Sequence, residues 1–327
     1  MRIGLLGAAR ITSSAIIAPA KVMPSAVLHG VAARDRQRAQ AFADQHGVTS
    51  IFDDYANLVS AADIDLVYNA LPISLHAAWT IEALQAGKHV LCEKPLAMNA
   101  NEARQMIDAT SASGVRLIEA FHHRYHPAFQ IFLDWISAGS IGDIKEVDAA
   151  FNVPISDDGV DIRHRPETGG GAMMDLGCYP VSWVLSVTNT APSSIAATAT
   201  MTPSGVDESM AADLTFPNGI KARLAASMAP NQIFSARLCV VGTKGQIDFI
   251  NPISPHSGAS LKLAASGQQK VAPISRVSTY THQLSAVLDA IESGAPLPTE
   301  GAGVLCQQET LDAIYAAAGL SHLRLFS

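Results

Sequence analysis

The first 120 residues alternate short apolar runs with longer stretches whose apolar positions recur at helical spacing. The apolar runs predict five strands, at residues 2–6, 27–33, 66–69, 89–92 and 115–119. The stretches between them predict helices at residues 36–46, 73–86 and 99–113, each followed by a glycine. Strands that alternate with helices of this length indicate βαβ units. We therefore expect a doubly wound α/β domain with a parallel sheet.

The pattern changes after Ala120. Strand-like runs follow at residues 144–152, 195–202, 211–216, 220–227, 236–241 and 245–250. The turn formed by residues 216–219 (Phe-Pro-Asn-Gly) is typical of a hairpin. Helices are predicted at residues 127–138, 173–187, 279–293 and 303–318. We expect domains at residues 1–121 and 122–327, the second α+β with a mostly antiparallel open sheet, and the last helix is a candidate to pack on the first domain.

Composition narrows the class of protein. Of the 327 residues, 48% are hydrophobic and 16% charged, which is typical of a globular protein. The net charge of -7 argues against a nucleic-acid partner, which would favour a basic face. The four cysteines are far apart and form no CxxC pair, so we expect reduced thiols and no structural zinc site.

The N-terminus allows two interpretations. Residues 3–6 and the later Ala18-Pro19-Ala20 resemble a secretory signal with its cleavage site. Arg10 and residues 12–14 interrupt the apolar stretch, so we favour a buried strand followed by a loop from Gly7 onward. No uncharged apolar run reaches the roughly 18 residues that a membrane span needs. We expect a soluble, cytoplasmic protein with no membrane partner.

The first strand ends in a degenerate GxGxxG pattern. Gly7, Ala9 and Thr12 take the three glycine positions of Gly7-Ala8-Ala9-Arg10-Ile11-Thr12. A loop of this kind carries a dinucleotide pyrophosphate at the start of the next helix. Apolar-Gly-Ala runs are also common in cores, but the place after a first strand favours cofactor binding through Gly7, Ala8, Ala9, Arg10 and Ile11.

Arg34 follows the second strand, where NAD enzymes carry an acidic residue on the ribose. Arginine pairs with a 2′-phosphate, so the sequence favours NADP, with NAD as the weaker alternative. Asp35 is a candidate N-cap of the next helix and also a candidate for the ribose. The alternative to cofactor binding is a solvated Arg34–Asp35 pair at the start of the helix.

Two further segments carry residues suited to catalysis. Glu93-Lys94-Pro95 follows the fourth predicted strand, at the sheet edge where doubly wound folds bind ligands. Asp175 and Tyr179 follow the glycine run 169–171 and share one helical face at a spacing of four.

With these motifs on one chain, the sequence resembles the Gfo/Idh/MocA oxidoreductase family along nearly its whole length. The segments that carry the resemblance are the Gly7 loop, residues 69–72 (Asn-Ala-Leu-Pro), His76, residues 93–95, residues 119–120, residues 124–127, residues 169–179 and residues 311–315. The resemblance implies a Rossmann domain whose cofactor contacts include Leu71, Pro72, His76, Glu93 and Lys94.

The resemblance also implies that Lys94 and Tyr179 are the catalytic pair. Tyrosine rather than histidine at 179 is similar to the glucose–fructose oxidoreductase, xylose dehydrogenase and dihydrodiol dehydrogenase branch. Ser182 stands where many members carry Asp or His, which leaves the substrate open. A free tyrosine has a pKa of about 10, and a nearby ammonium favours its phenolate. The phenolate can then accept a proton from a substrate hydroxyl while hydride moves to the nicotinamide.

Other residues are expected to line the substrate pocket. Asp175 would position a neighbouring substrate hydroxyl, and the resemblance places His122 and Phe151 at the pocket. The alternatives without a catalytic role are that Lys94 only pairs with Glu93, that Tyr179 is a core aromatic and that Asp175 is a solvated helix carboxylate. A metal site at the histidines of residues 121–126 is disfavoured, because they are bunched and no carboxylates join them.

We therefore expect an NADP-dependent dehydrogenase or reductase of a sugar, with a dihydrodiol as the next substrate class. The rivals are a redox-inert NADP-binding regulator and a reductase of a non-sugar carbonyl or imine. In the family the open sheet face often packs on a partner chain, and residues 195–202 and 221–227 would supply an apolar surface here. A homodimer or homotetramer is the expected assembly.

Overall fold

The computed structural model describes residues 1–325, except for the side chains of residues 111–113. The chain forms two compact units. The first unit consists of Met1–His122 together with Tyr280–Leu305. The second consists of His123–Thr279 and the chain from Cys306 onward. None of the helices in the described part of the chain combines the length and the apolar character needed to cross a lipid bilayer.

The first unit contains a six-stranded parallel sheet. Its strands are β1 (Arg2–Leu6), β2 (Val27–Ala32), β3 (Ser50–Ile51), β4 (Leu66–Asn69), β5 (His89–Cys92) and β6 (Leu117–Glu119). Their order across the sheet is β3-β2-β1-β4-β5-β6, so the strand order reverses between β1 and β4. Doubly wound sheets bind ligands outside the carboxyl ends of the strands at such a reversal. The predicted parallel sheet is confirmed.

Helices cover both faces of this sheet. They are α1 (Ala18–Ala20), which continues a π-helical turn Ser13–Ile17, α2 (Arg36–His46), α3 (Tyr55–Ser60), α4 (His76–Gln85), α5 (Ala100–Ser113) and α8 (Thr279–Ser293). Alternate strand residues enter two hydrophobic clusters: Leu5 belongs to one and Leu6 to the other. Leu284 and Val287 of α8 belong to the cluster of Leu5. The loop predicted from Gly7 onward is wrong from residue 13, because a helix begins there.

The second unit contains an eight-stranded sheet in the order β14-β13-β12-β11-β7-β10-β9-β8. The strands are β7 (Ile144–Asn152), β8 (Ser194–Met201), β9 (Asp207–Thr215), β10 (Lys221–Ser227), β11 (Ser235–Gly242), β12 (Gly245–Ile250), β13 (Ser260–Ala265) and β14 (Gln268–Val271). β7 and β10 run parallel and every other pair is antiparallel, which confirms the mostly antiparallel prediction.

The helices of the second unit are α6 (Pro127–Ser137), α7 (Cys178–Thr188) and most of α9 (Ala302–Ala317). A π-helical turn, Met173–Gly177, leads directly into α7. The buried face of the sheet carries Val147, Leu224, Leu238 and Phe249.

The other face of this sheet carries charged side chains at its centre, where an apolar oligomer surface was expected. Its central residues include Asp213, Arg223, Asp148, Asp248 and Lys262, which lie in register across neighbouring strands. Arg223 pairs with Asp213 at 3.0 Å, and both side chains are more than half exposed. The exposed positions of residues 195–202 and 221–227 are mostly small or polar, with Met201, 41% exposed, as the large apolar exception, so these residues supply little apolar surface.

Candidate functional site

The Gly7 loop leaves the carboxyl end of β1 in a conformation that favours glycine. Gly7 has a φ of +85°, and its N–H donates to the Ala32 carbonyl at 2.8 Å. A Cβ on Gly7 would lie 3.1 Å from the side chain of Leu71. Glycine thus lets the loop turn tightly between β2 and the segment after β4. Arg10 and Ile11 are exposed at the tip of the loop, while Ala8 and Ala9 are half-buried.

The start of the helix after this loop fits a dinucleotide pyrophosphate. The Thr12 hydroxyl is fully buried there and has no hydrogen-bond partner within residues 1–325. The first turn, Ser13–Ile17, contains no acidic residue. A helix N-terminus presents unpaired N–H groups and a partial positive charge, both of which favour phosphate oxygens.

Basic side chains gather after β2. Asp35 is the N-cap of α2, because its carboxylate accepts from the N–H groups of Gln37 at 2.8 Å and Arg38 at 3.3 Å. Arg38 reaches back and donates to the Ala8 carbonyl at 2.9 Å. Arg36 pairs with Asp53, whereas Arg34 is exposed. The predicted N-cap is confirmed, and the carboxylate of Asp35 serves the helix.

The turn after β4 is held by buried polar groups. The Asn69 amide is fully buried; its oxygen accepts from the Leu71 N–H at 3.3 Å and its nitrogen donates to the Thr80 hydroxyl at 3.1 Å. His76 is 1% exposed, and its ring nitrogens lie 2.8 Å from the Leu71 carbonyl and 3.2 Å from the Pro95 carbonyl. Burial lowers the pKa of His76 to about 4, so the ring is neutral at pH 7.

These contacts fix the backbone of the Leu71–Pro72 turn. The His76 ring lies between the Leu71–Pro72 turn and the segment after β5, with carbonyls of both facing its nitrogens, and as a neutral ring it donates from one nitrogen only. Its ring nitrogens face backbone carbonyls, so the His76 side chain positions the backbone at Leu71 and Pro95.

Two buried carboxylates, those of Glu93 and Glu119, contact the backbone near Lys94 after β5. The Glu93 carboxylate accepts from the Tyr68 hydroxyl at 2.6 Å and from the Lys94 N–H at 3.3 Å. Glu119, at the end of β6, accepts from the Leu96 N–H at 2.8 Å. The Lys94–Pro95 peptide bond is cis. Glu93 and Glu119 thereby fix the backbone on both sides of Lys94.

The protonation state of Glu119 depends on Glu93 and Lys94 as well as on burial. Burial raises the pKa of Glu119 to about 8, and the negative charge of Glu93 adds to this rise while Lys94 opposes it. Glu119 is therefore protonated at pH 7. His122 follows β6 and is 2% exposed, with its ring centroid 4.1 Å from that of Tyr280.

Tyr179 lies among aromatic rings in the second unit. It is 5% exposed, and its ring centroid is 5.6 Å from that of Phe151, with the planes 87° apart. The His123 ring lies 5.5 Å away and the Trp183 ring 6.5 Å away. The structure thus places Phe151, an expected pocket residue, beside Tyr179, at the end of β7.

Asp175 lies in the π-helical turn that precedes Tyr179, and it is half of an ion pair. The Arg163 side chain donates through Nε to the Asp175 carboxylate at 2.6 Å, and it approaches Asp161 at 3.3 Å. Asp175 raises the pKa of Arg163, since an adjacent negative charge favours the guanidinium. Arg163 was not anticipated, because its twelve-residue separation from Asp175 matches no local helical or strand spacing.

The glycine run before this turn is required by close packing. Gly171 has a φ of +118°, and a Cβ there would lie 2.1 Å from an oxygen of the Asp207 carboxylate. A Cβ on Gly170 would lie 2.5 Å from the Arg163 carbonyl oxygen. Asp207 is fully buried and accepts from the Met173 N–H at 2.7 Å and from the Tyr315 hydroxyl at 2.7 Å. Asp207 therefore anchors the start of the helix that carries Asp175 and Tyr179.

Each histidine of residues 121–126 contacts a different residue. The His122 ring lies tilted by 36° against that of Tyr280, and His123 lies edge-on to Phe129 at 5.0 Å. His126 caps α6, because its Nδ1 accepts from the Ala128 N–H at 3.1 Å. Within the described residues no three His, Cys, Asp or Glu side chains are grouped so that they could hold a metal ion.

The structure therefore assembles two groups of predicted residues, one in each unit. The carboxyl edge of the first sheet carries the Gly7 loop, Arg34, the Leu71–Pro72 turn and residues 93–94. The second unit holds Phe151, Asp175 and Tyr179. Arg38, Arg163 and Asp207 were missed, and Glu119 was noted only within residues 119–120, which carry the family resemblance; Arg38 also had a local signal, as a basic residue in the first turn after Asp35.

Two family models match the chain. The first is described as an oxidoreductase family with an NAD-binding Rossmann fold, and it matches residues 1–121. The second is the GFO/IDH/MocA C-terminal domain, and it matches residues 129–248.

Individual proteins resemble the chain over nearly its whole length. An NADP(+) D-xylose 1-dehydrogenase of Haloferax volcanii is 33% identical, with 97% of both chains covered. A dTDP-3,4-didehydro-2,6-dideoxy-alpha-D-glucose 3-reductase of Streptomyces violaceoruber is 30% identical over 98% of this chain and 96% of its own. A 3-ketoreductase of Actinomadura kijaniata, solved with NADP and TDP-benzene, has a TM-score of 0.88 at 26% identity, with 97% of both chains covered. The predicted family is confirmed: the chain belongs to the Gfo/Idh/MocA family and is an NAD(P)-binding oxidoreductase.

Proposed function

We propose that the protein is an NADP-dependent dehydrogenase or reductase whose substrate is a sugar or a related cyclic diol. The observation that carries the proposal is the arrangement around Tyr179, where the phenol follows Asp175 on one helix and Arg163, from a separate 3₁₀ turn, pairs with Asp175. A phenol can exchange a proton with a hydroxyl, and the ion pair offers donors and acceptors to neighbouring hydroxyls. The relatives named for xylose and deoxyglucose chemistry support this substrate class.

In this proposal the two parts of the chain have separate tasks. Residues 1–121 hold NADP through Gly7, Ala8, Ala9, Arg10 and Ile11 at the pyrophosphate and Arg34 at the 2′-phosphate. Leu71, Pro72, Glu93 and Lys94 border the nicotinamide. When bound, the nicotinamide accepts or supplies the hydride. Residues 122–327 hold the substrate.

Lys94 and Tyr179 carry the proton chemistry in this proposal. The Lys94 ammonium hydrogen-bonds the reacting substrate oxygen and favours the phenolate of Tyr179. Tyr179 takes the hydroxyl proton during oxidation and returns it during reduction. Asp175, already oriented by Arg163, binds a neighbouring hydroxyl, and Phe151 and His122 line the pocket.

The test is a screen of the purified full chain, followed at the NADPH absorbance, with NADP plus aldopyranoses or cyclic diols for oxidation and with NADPH plus non-sugar carbonyls or imines for reduction. We expect turnover with at least one aldopyranose or cyclic diol. Tight NADP binding without turnover of any panel member would favour a redox-inert regulator. Turnover restricted to non-sugar carbonyls or imines would contradict the proposed substrate class.

A further inference from the structure

Two apolar side chains stand exposed on one short segment of the second unit. Ile233 is 83% exposed and Phe234 56% exposed. They occupy the end of the connection between β10 and β11, and their neighbours Asn231, Gln232 and Ser235 are polar. Adjacent exposed large apolar side chains lose the free energy of burial unless something covers them.

The rings of Phe234 and Tyr179 both contact the ring of Phe151. The ring centroid of Phe234 lies 6.2 Å from that of Phe151, and the two planes are 86° apart. Phe151 in turn meets Tyr179 edge-on at 5.6 Å. The strand register explains the arrangement, because Ser235 at the start of β11 pairs with Asn152 at the end of β7. The exposed segment and the aromatic cluster of Tyr179 are therefore continuous.

We propose that Ile233 and Phe234 extend Phe151 into an apolar shelf that packs against the C–H face of a six-membered ring substrate. This inference rests on the proposed function and adds the shape of the substrate to it. A pyranose or cyclohexane-type diol presents C–H groups on one face and hydroxyls at its edge. The shelf supplies the apolar surface, while Asp175, on the helix of Tyr179, and its ion-pair partner Arg163 supply polar partners.

A second copy of the chain is a poorer occupant of the shelf. A stable protein interface buries about 800 Å² on each partner, whereas a large aromatic side chain buries only about 150–250 Å². Two apolar side chains bordered by polar neighbours are enough for one ring but not for a subunit contact.

The proposal is tested by saturation-transfer NMR on the full chain with bound NADP. The first probe is methyl β-D-xylopyranoside, whose blocked anomeric carbon allows binding to be measured apart from oxidation at that carbon. A second, matched pair of probes is trans-cyclohexane-1,2-diol and the acyclic butane-2,3-diol. The variants are Phe234→Ala and Phe234→Trp, with Val271→Ala as the control, because Val271 is an exposed apolar residue on the edge strand β14 of the same unit.

We expect the protons of one C–H face of the xyloside to receive the strongest saturation. Phe234→Ala should weaken ring ligands about three- to tenfold, as expected for an aromatic contact, and should leave butane-2,3-diol unchanged. Phe234→Trp should retain ring binding, and Val271→Ala should match the unmodified protein.

Three results would overturn the shelf. They are equal binding of the ring ligands by Phe234→Ala and the unmodified protein, equal losses for ring and acyclic diols, and a shift of Phe234→Ala to a smaller oligomer by sedimentation. Ring binding that depends on Phe234 in a protein that reduces no NADP with any sugar or diol would keep the shelf and reject the proposed function.

Discussion

The choice between NADP and NAD depends on side chains just after β2. Asp35 is used as the N-cap of α2, so the residue that an NAD enzyme needs on the ribose is engaged by backbone N–H groups. Arg34 is exposed and Arg38 is bonded to the Ala8 carbonyl in the Gly7 loop. We propose that this arrangement favours a 2′-phosphate, since guanidinium groups pair with phosphate in a bidentate manner.

We therefore predict that Arg34→Ala removes most of the preference for NADP. A hydrogen bond to a charged group contributes about 1.5–3 kcal/mol, so NADP affinity should fall about ten- to a hundredfold while NAD affinity stays the same. Cofactor affinities follow from fluorescence titration. Arg36→Ala is the matched control, because Arg36 pairs with Asp53. Equal dissociation constants for the two cofactors in the unmodified protein would contradict the assignment.

Glu119 gives a prediction for the dependence of stability on pH. Its pKa is raised from 4.5 to about 8, mainly by burial. The folded protein therefore keeps this proton up to about pH 8, whereas the unfolded chain releases it near the ordinary value. Its contribution to stability is full below the ordinary pKa, declines as the pH rises and is lost by about pH 8.

Glu119→Gln cannot ionise but still accepts from the Leu96 N–H, so it should lack this decline. We predict that its Tm, relative to that of the unmodified protein, rises between pH 5 and pH 8.5 by several degrees, at roughly 2–4 °C for each kcal/mol. Calorimetry at several pH values measures this, with the exposed Glu82→Gln as control. A constant Tm difference across this range would show that Glu119 is ionised in the folded protein.

Residues that act through local patterns were predictable, and residues that act through distant partners were not. Gly7 and Lys94 follow strand ends, and Asp35 precedes a helix, so each has a sequence signal. Glu119 and Asp207 gain their roles only when folding places the Leu96 and Met173 N–H groups against them. Desolvation also appears only in the folded chain, so the raised pKa of Glu119 could not be inferred from its sequence neighbours.

The helix that carries Tyr179 depends on the glycine run that precedes it. Gly171 combines a positive φ with direct packing against the Asp207 carboxylate, which in turn accepts from the Met173 N–H. Any side chain at position 171 must displace Asp207 or distort the start of the helix. The glycine at position 171 is therefore required by the close packing against Asp207.

We predict that Gly171→Ala destabilises the protein by more than about 3 kcal/mol, because backbone strain and a steric clash add together. Gly139→Ala is the control, since Gly139 has a φ of +65° with nothing near its Cβ position. That control should lose only about 1 kcal/mol, the strain alone. Urea unfolding measures both values. Similar losses for the two variants would mean that Asp207 moves away without resistance.

Long elements with a clear period were predicted, and short or atypical ones were missed. The helix periods of α2, α4 and α5 and the apolar runs of β1, β4 and β5 are all confirmed in place. β3 has two residues and α3 six, which is too short for a period to be detected. The helical turn Ser13–Ile17 is π-helical, so its apolar residues do not follow the 3.6-residue period. β13 and β14 were missed, because residues 260–271 mix small and polar residues.

At the scale of the molecule, the charged face of the second sheet is the candidate surface for self-association. Asp213, Arg223 and Asp148 lie side by side on β9, β10 and β7. The argument from exposed apolar area no longer applies to this face, and the expected homodimer or homotetramer stays a prediction. Contact through a face of alternating charge would be electrostatic and would weaken with salt.

We predict a dimer or tetramer by light scattering at micromolar concentration and low salt. Arg223→Glu should weaken the association, because it places a third negative charge between Asp213 and Asp148. Lys21→Glu, an exposed charge reversal in the first unit, should leave the assembly unchanged. A monomer at low salt would contradict the prediction, and an oligomer insensitive to Arg223→Glu would move the interface to another face.

The central claim is that Tyr179 is the proton acceptor in a hydride-transfer reaction and that Lys94 supports it. The most direct measurement is the pH profile of NADP reduction by Tyr179→Phe. This change keeps the ring contacts with Phe151 and His123 and removes the hydroxyl. The account predicts a fall in kcat of about 10²–10⁴-fold, loss of the limb that rises with pH, and unchanged NADP affinity. Near-normal kcat with the same rising limb would contradict the account and make His122 the next candidate for the base.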